Sequence, residues 1–257
     1  MTGISISLGE VAASLALIAV AIAVSFWRRA ELEQDIAVAV LRSFLQLTAV
    51  GYVIQAIFDS DSLWLVALLL AGMVAFGTWT ARGRAKAVPG ATLPIMLALA
   101  VAAAVTLGIV LALGVFEAEP RYLVPVGGMV IGNAMTAVAV ALNRLADELR
   151  DGRRQVEAML ALGATSFEAA RATVARSLRS GMIPLVDSTK TTGIVFFPGT
   201  MVGMLVAGAE PVDAVRLQLV LLWVLLGAVG LAALVAVTMG YRGFFTQAHQ
   251  LRDLPPD

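Results

Sequence analysis

Five polar side chains stand where the chain is otherwise apolar: Arg42, Gln46, Asn133, Asp187 and Lys190. Hydrocarbon solvates such groups poorly, so at membrane depth they are functional candidates. Their chemistry is that of holding and passing a solute. There is no cysteine, and the single histidine, His249, lies in a polar tail. Thiolate ligands, a cysteine nucleophile, a His-rich zinc site and a Ser-His-Asp triad in the apolar part are thereby excluded. Gln46 follows Arg42 by one helical turn, so the pair can line a cavity, or Arg42 can snorkel to the surface. Asp187 and Lys190 are three apart and can pair, either as a structural link or as part of a pathway. The amide of Asn133 needs a partner in lipid: a neighbouring helix or a solute. Met135 and Thr136 follow it. Met201 and Met204 come after Pro198-Gly199, which should interrupt a helix and free carbonyls toward a cavity. Thioethers suit soft ions and packed cores alike, so no metal-ligand set is assigned.

The elements that must position these groups are membrane spans. Of 257 residues, 60% are hydrophobic and 14% charged. A soluble domain carries about 25% charged residues. The mean hydropathy is +0.89. Seven stretches reach the roughly 20 apolar residues that cross a bilayer: 7–27, 36–58, 62–81, 91–116, 121–143, 182–208 and 214–240. The first is read as an uncleaved span, since Arg28-Arg29 follow it and no basic residue precedes it. The expected fold is all-α and polytopic, a single transmembrane domain over 1–257. Basic residues collect in alternate loops, while Asp59-Ser60-Asp61 and Glu117-Ala118-Glu119 fall in the others. By the positive-inside rule the N-terminus is outside and the C-terminus cytoplasmic. The net charge is zero, and no nucleic-acid partner is expected. Gly128-x-x-x-Gly132 and Gly199-x-x-x-Gly203 allow close helix packing, within one subunit or in a dimer.

One charged insert, 144–181, falls on the cytoplasmic side. The fifth span should continue into it as far as Arg150. Gly163 should break a helix, and Thr165-Ser166-Phe167-Glu168 matches a capping box that starts another. Phe167, Ala170, Val174 and Leu178 share one face of that helix. Gly181 and Pro184 should mark the return into the sixth span. The insert can be a membrane-surface helix whose arginines meet anionic lipid, or a docking element for a cytoplasmic motor. No glycine-lysine dipeptide occurs, so there is no P-loop. If ATP drives this protein, another chain hydrolyses it.

The run Glu157-Ala158-Met159-Leu160-Ala161-Leu162-Gly163 looks like the EAA-x3-G loop of ABC-transporter permeases. With Arg42–Gly51, Gly132–Thr136, Glu157–Ala164 and Thr189–Met204, nearly the whole chain resembles the FetB family of bacterial iron-export ABC permeases, whose plant relatives are linked to aluminium tolerance. The resemblance implies a transport subunit rather than an enzyme, in a bacterial inner membrane. It implies a cytoplasmic ATP-binding partner that holds ATP and Mg, with no cofactor on this chain. It also implies a permease homodimer, export from the cytoplasm and iron as cargo. Glu157, Ala158, Gly163, Ala164, Thr165, Phe167 and Glu168 are then the ATPase-coupling residues. Another metal or a nucleotide sugar as cargo, a secondary transporter working without ATP, and a scaffold are the alternatives.

Overall fold

The computed structural model describes residues 7–252. Residues 1–6 and 253–257, the two ends of the expected single domain, lie outside the described residues. Nine α-helices follow in order among them: α1 (Leu8–Arg28), α2 (Glu33–Ser60), α3 (Leu63–Arg84), α4 (Thr92–Ala112), α5 (Pro120–Asp151), α6 (Arg153–Ala161), α7 (Ser166–Thr191), α8 (Gly199–Val206) and α9 (Pro211–Gly240). A short 3-10 turn, Tyr241–Phe244, ends α9. Among the described residues the only β contacts are two isolated bridges, Thr192 with Phe196 and Phe245 with Leu251. The fold is an all-α polytopic membrane protein.

Among the described residues six helices are long and apolar enough to cross a membrane: α1 to α5 and α9. The expected sixth stretch, 182–208, is divided. Its first part belongs to α7, which begins in the insert and runs unbroken past Gly181 and Pro184 to Thr191. Those two residues therefore do not mark a boundary. Proline lacks an N–H and removes one helical hydrogen bond, but the surrounding helix absorbs the loss. The real break is at 192–198, where Gly193 takes a positive φ of 84°. Pro198 then caps the short α8.

α5 is the axis of the bundle, with α3, α4, α7 and α9 packed on it. Leu142, Leu145, Leu149 and Val138 of α5 are fully buried in one cluster with Ile95 and Leu99 of α4, Val237 of α9 and Phe244, and Val130 in a second with Leu107 of α4 and Leu221 of α9. α1 and α2 stand to one side, and α2 touches the bundle where Ile57 meets Val66 and Val124. The apolar outer faces of α1 and α2 are exposed by the protein itself, as lipid-facing helices require.

Gly181 is where the backbone of one helix comes closest to the backbone of another. A Cβ there would lie 2.8 Å from the Ala137 carbonyl oxygen and 2.9 Å from the Ala141 Cβ. Glycine lets the α7 backbone lie directly on α5, as small residues do in membrane bundles. The two sequence motifs of small residues do less. Gly132, Gly199 and Gly203 face open space, and Gly128 meets only the end of Met73 of α3. Gly181→Ala is accordingly expected to push α7 off α5 and cost about 1–3 kcal/mol, the usual effect of overpacking. Gly132→Ala should be neutral or slightly stabilising. Thermal unfolding of the detergent-solubilised variants checks the contrast.

Candidate functional site

Two places carry the candidate residues: a turn at one end of the bundle and a set of polar groups along α5 and α7. The turn begins where α5 leaves the bundle. α5 runs to Asp151, one residue past the expected Arg150, and stops at Gly152. This second glycine break was not expected from sequence. α6 then carries Glu157 and Ala158, both exposed. Arg153 donates to Glu157 at 2.8 Å, one turn back along the helix.

Gly163 ends α6 with a φ of 92°. Its N–H bonds to the Leu160 carbonyl, and the Ala164 N–H reaches back to the Met159 carbonyl at 3.0 Å. That pair of bonds is a Schellman termination, which requires a left-handed residue and so favours glycine. Thr165 then starts α7. Its hydroxyl accepts from the Glu168 N–H, and its own N–H donates to the Glu168 carboxylate at 2.8 Å. The expected capping box is present. The bonds from Thr165 hold the Glu168 carboxyl below its usual range.

The turn is braced from behind by the tail. Ser166 Oγ lies 2.7 Å from Nδ1 of His249, and the Ser166 N–H also donates to that nitrogen. Phe167 is half exposed, with its ring 6.1 Å from that of Tyr241. The tail is in turn folded back by Arg252, whose N–H bonds to the Phe244 carbonyl. Sequence reading left His249 without a role, because its partner is 83 residues away. Ala170 is buried behind the turn, and Val174 and Leu178 pack on the core, so the expected apolar face is real.

A second tie holds the two helices that leave the turn. Glu148 of α5 accepts from Arg176 of α7 at 2.6 Å and pairs with Arg144 one turn back on α5 at 2.5 Å. The hydrogen bond from Arg176 is the main reason its carboxyl sits below the usual range. The Arg144-Glu148 spacing was visible in the sequence, but the link to Arg176 was not.

The expected pathway residues fall into separate groups. Arg42 and Gln46 are exposed on α2. Arg42 lies over the ring of Phe76 at 5.7 Å. Gln46 lines a groove of about 820 Å³ between α2 and α3 whose walls are otherwise apolar. Asn133 and Thr136 of α5 line a smaller cavity of about 160 Å³ with Gly181, Pro184, Leu185 and Ser188 of α7 and Val229 of α9. The Asn133 amide donates to the Met129 carbonyl of its own helix at 2.8 Å. The interhelical bond weighed for it is therefore replaced by an intrahelical one. Met135 turns away, toward the core beside Gly77. Asp187 and Lys190 pair at 3.0 Å, both exposed on α7. Met201 of α8 is buried and Met204 half-buried. Thr200 approaches Met129 Sδ at 4.0 Å, which ties α8 to α5. Sequence reading missed Gln218 of α9, which is 6% exposed and has no partner for its side-chain oxygen. Its only signal was a lone amide in the last span. Among the described residues no group of three or more His, Cys, Asp or Glu side chains could hold a metal ion.

Apolar helices around a thin polar line, with an ordered helical turn at one end, define a multi-pass α-helical membrane protein. The chain belongs to the UPF0014 family, described as "Uncharacterised protein family (UPF0014)", which it matches over residues 8–245. It is 38% identical to the "UPF0014 membrane protein STAR2" of Oryza sativa subsp. japonica, covering 94% of this chain and 85% of that one. It is 36% identical to the "Probable iron export permease protein FetB" of Escherichia coli (strain K12), over 94% and 93% of the two chains. With "Protein ALUMINUM SENSITIVE 3" of Arabidopsis thaliana the identity is 35%, over 94% and 88%. No solved structure matches.

The Glu148 tie has a measurable pH signature. Its carboxyl is lowered from 4.5 by folding, so its contribution is present above that value and lost as pH falls through the lowered folded value. Both arginines are half exposed, and solvent limits the tie to about 1 kcal/mol. At pH 7 Glu148→Gln should lower the Tm by about 2–4 °C. The gap between variant and wild type should close as the pH is taken well below 4.5. A gap that persists in acid would mean the glutamate acts through packing alone.

Proposed function

We propose that this chain is the membrane-spanning permease subunit of an ABC exporter, with ATP hydrolysed by a separate cytoplasmic subunit. The observation that carries the reading is mechanical. α7 is continuous from the turn to the cavity at Asn133, α5 meets the turn through α6 after the break at Gly152, and α5 and α7 are locked together by Glu148–Arg176 and by the contact at Gly181. A push on the turn at 157–168 is thus delivered to the middle of the membrane along α7, a single rod tied to α5, rather than through a loop. The Glu157–Gly163 run and its Schellman turn supply the exposed helix–Gly–helix knob that a motor's cleft would grip. Leu162 at its tip is 89% exposed.

In this reading the basic side of the bundle faces the cytoplasm of a bacterial cell, in its inner membrane. The permease works as a homodimer with two ATPase subunits. Closure of the ATPases moves α6 and the start of α7, and the cavity between α5 and α7 opens or shuts in response. Asn133 and Thr136 offer the cargo an amide and a hydroxyl there, ligands weak enough to release it. Iron is the cargo, on the strength of the relative named an iron export permease. ATP and Mg belong to the partner, and this chain needs no cofactor.

Gly163→Val tests the docking. Its φ of 92° strains any β-branched residue, at about 1–2 kcal/mol, although a Cβ meets no neighbour there. The membrane part should fold as before, while co-purification of the ATPase with Gly163→Val/Glu157→Ala is lost. Retention of the ATPase at wild-type level would refute the docking assignment.

Asn133→Leu tests the route. The amide it removes donates to a carbonyl already bonded within α5, so no neighbouring helix is left with an orphan group. The Tm should hold, while ATP-dependent Fe(II) accumulation in inverted vesicles falls severalfold. Unchanged accumulation would take Asn133 out of the route. In inverted vesicles made without the ATPase a Leu162→Cys variant should react with an impermeant thiol reagent that leaves intact cells unlabelled. Labelling in intact cells would reverse the orientation.

A further inference from the structure

The face of α7 turned away from α5 is uncovered and charged at membrane depth. Arg179, Ile183, Asp187 and Lys190 are exposed along it, with Met182 and Val186 between them, around an open groove of about 560 Å³. The depth is fixed by the opposite face of the same helix. Gly181 lies on Ala137 and Ala141 of α5, and Pro184 and Ser188 share the cavity of Asn133. Asn133 is in the middle of the apolar stretch of α5, with Ala137 and Ala141 one and two turns nearer its charged end. Asp187 and Lys190 are therefore at the level of lipid tails, yet their side chains are 62% and 69% exposed. Their mutual bond at 3.0 Å leaves most of both heads bare. Charged groups do not stay in that condition against hydrocarbon.

We propose that this face of α7 is covered by the same face of a second copy, with Asp187 of each copy paired to Lys190 of the other. The inference rests on the homodimer in the reading above and names its interface. The charge pattern is self-complementary. In a two-fold arrangement about the membrane normal, two α7 helices run side by side, and residues three apart differ in depth by only about 4.5 Å. Each copy then gives one acid and one base to the seam, and the two crossed pairs satisfy the rule that i meets j and j meets i. The apolar positions agree. Ala175, Met182 and Val186, with Arg179 at the cytoplasmic edge, recur at alternating steps of three and four, the spacing of a helix–helix seam. The groove between α2 and α3 is a weaker rival, because its nearly all-apolar walls are already suited to lipid.

The absence of native cysteine makes the test direct. Single cysteines at Ile183 and Val186 of α7, and at Leu68 of α3 as a control, are placed in the full chain. Each is oxidised in membranes that also hold the ATPase. The α7 positions should yield covalent dimer, and Leu68→Cys should not. The charge arrangement is read by exchange. D187K alone and K190D alone should each lower the dimer fraction by about tenfold, since like charges then oppose one another. Co-expressed with different tags, these two variants should recover each other as a mixed dimer. Crossed pairing makes both contacts attractive in that mixture, whereas pairing only within each helix leaves both repulsive and predicts no recovery. Native mass spectrometry of the purified complex separates the two levels of failure. One permease per complex would overturn the homodimer itself. Two permeases, with cross-linking confined to Leu68→Cys or no recovery of the mixed pair, would keep the homodimer and overturn the α7 seam.

Discussion

The contact between the α7 backbone and α5 at Gly181 sets the spacing on which the rest of the molecule depends. In lipid there is no hydrophobic drive to bring helices together, so close van der Waals contact has to do it. With no side chain at 181, α7 lies near enough for Arg176 to reach Glu148 below and for Ser188 to share a cavity with Asn133 above. α7 then runs as one unbroken helix from the turn to Thr191, past Pro184. A looser contact would detach the turn from the cavity.

The order of the turn has a different origin, in backbone bonds that are nearly all local. Gly163 closes α6 by a Schellman pair, and Thr165 with Glu168 opens α7 three residues later. Just before Gly163 stands Leu162, an apolar side chain left exposed. The tail adds rigidity from the far side, since His249 sits against Ser166 and Tyr241 against Phe167. The turn is thereby fixed to the end of α9 as well as to α5 and α7. A force applied there meets three helices at once.

Polar groups within the bundle fall into two kinds. Several turned inward find partners in their own helix, as Asn133 does at Met129, and Thr189 and Thr192 at the carbonyls four residues before them, while Gln218 keeps an unpaired oxygen. Those turned outward, Asp187 and Lys190, have each other and little else. The first kind is compatible with an isolated subunit in a membrane. The second is complete only when something covers α7. The break at 192–198 follows immediately, with Ile194 and Val195 also bare. The uncovered strip therefore continues from α7 onto this segment.

Sequence alone determined what depends on neighbours a few residues apart or on composition. Helical periodicity, apolar length and the basic loops gave an all-α polytopic protein. Gly163 and the Thr165–Glu168 capping box were legible because both act within one turn of backbone. The Asp187–Lys190 pair was legible for the same reason. The division of 182–208 was only half visible: Pro198 and Gly199 announced a break, but Gly181 and Pro184 announced one as well. Whether a proline or glycine ends a helix depends on what packs beside it, and that is a tertiary fact. Tertiary structure alone decided that Gly181 is a contact rather than a boundary, and that Glu148 holds Arg176 across 28 residues. It alone brought His249 to the turn, sent Met135 into the core, and left one charged face of α7 bare. Each of these rests on atoms distant in the chain but within a few ångströms in space, a distance that residue spacing does not encode.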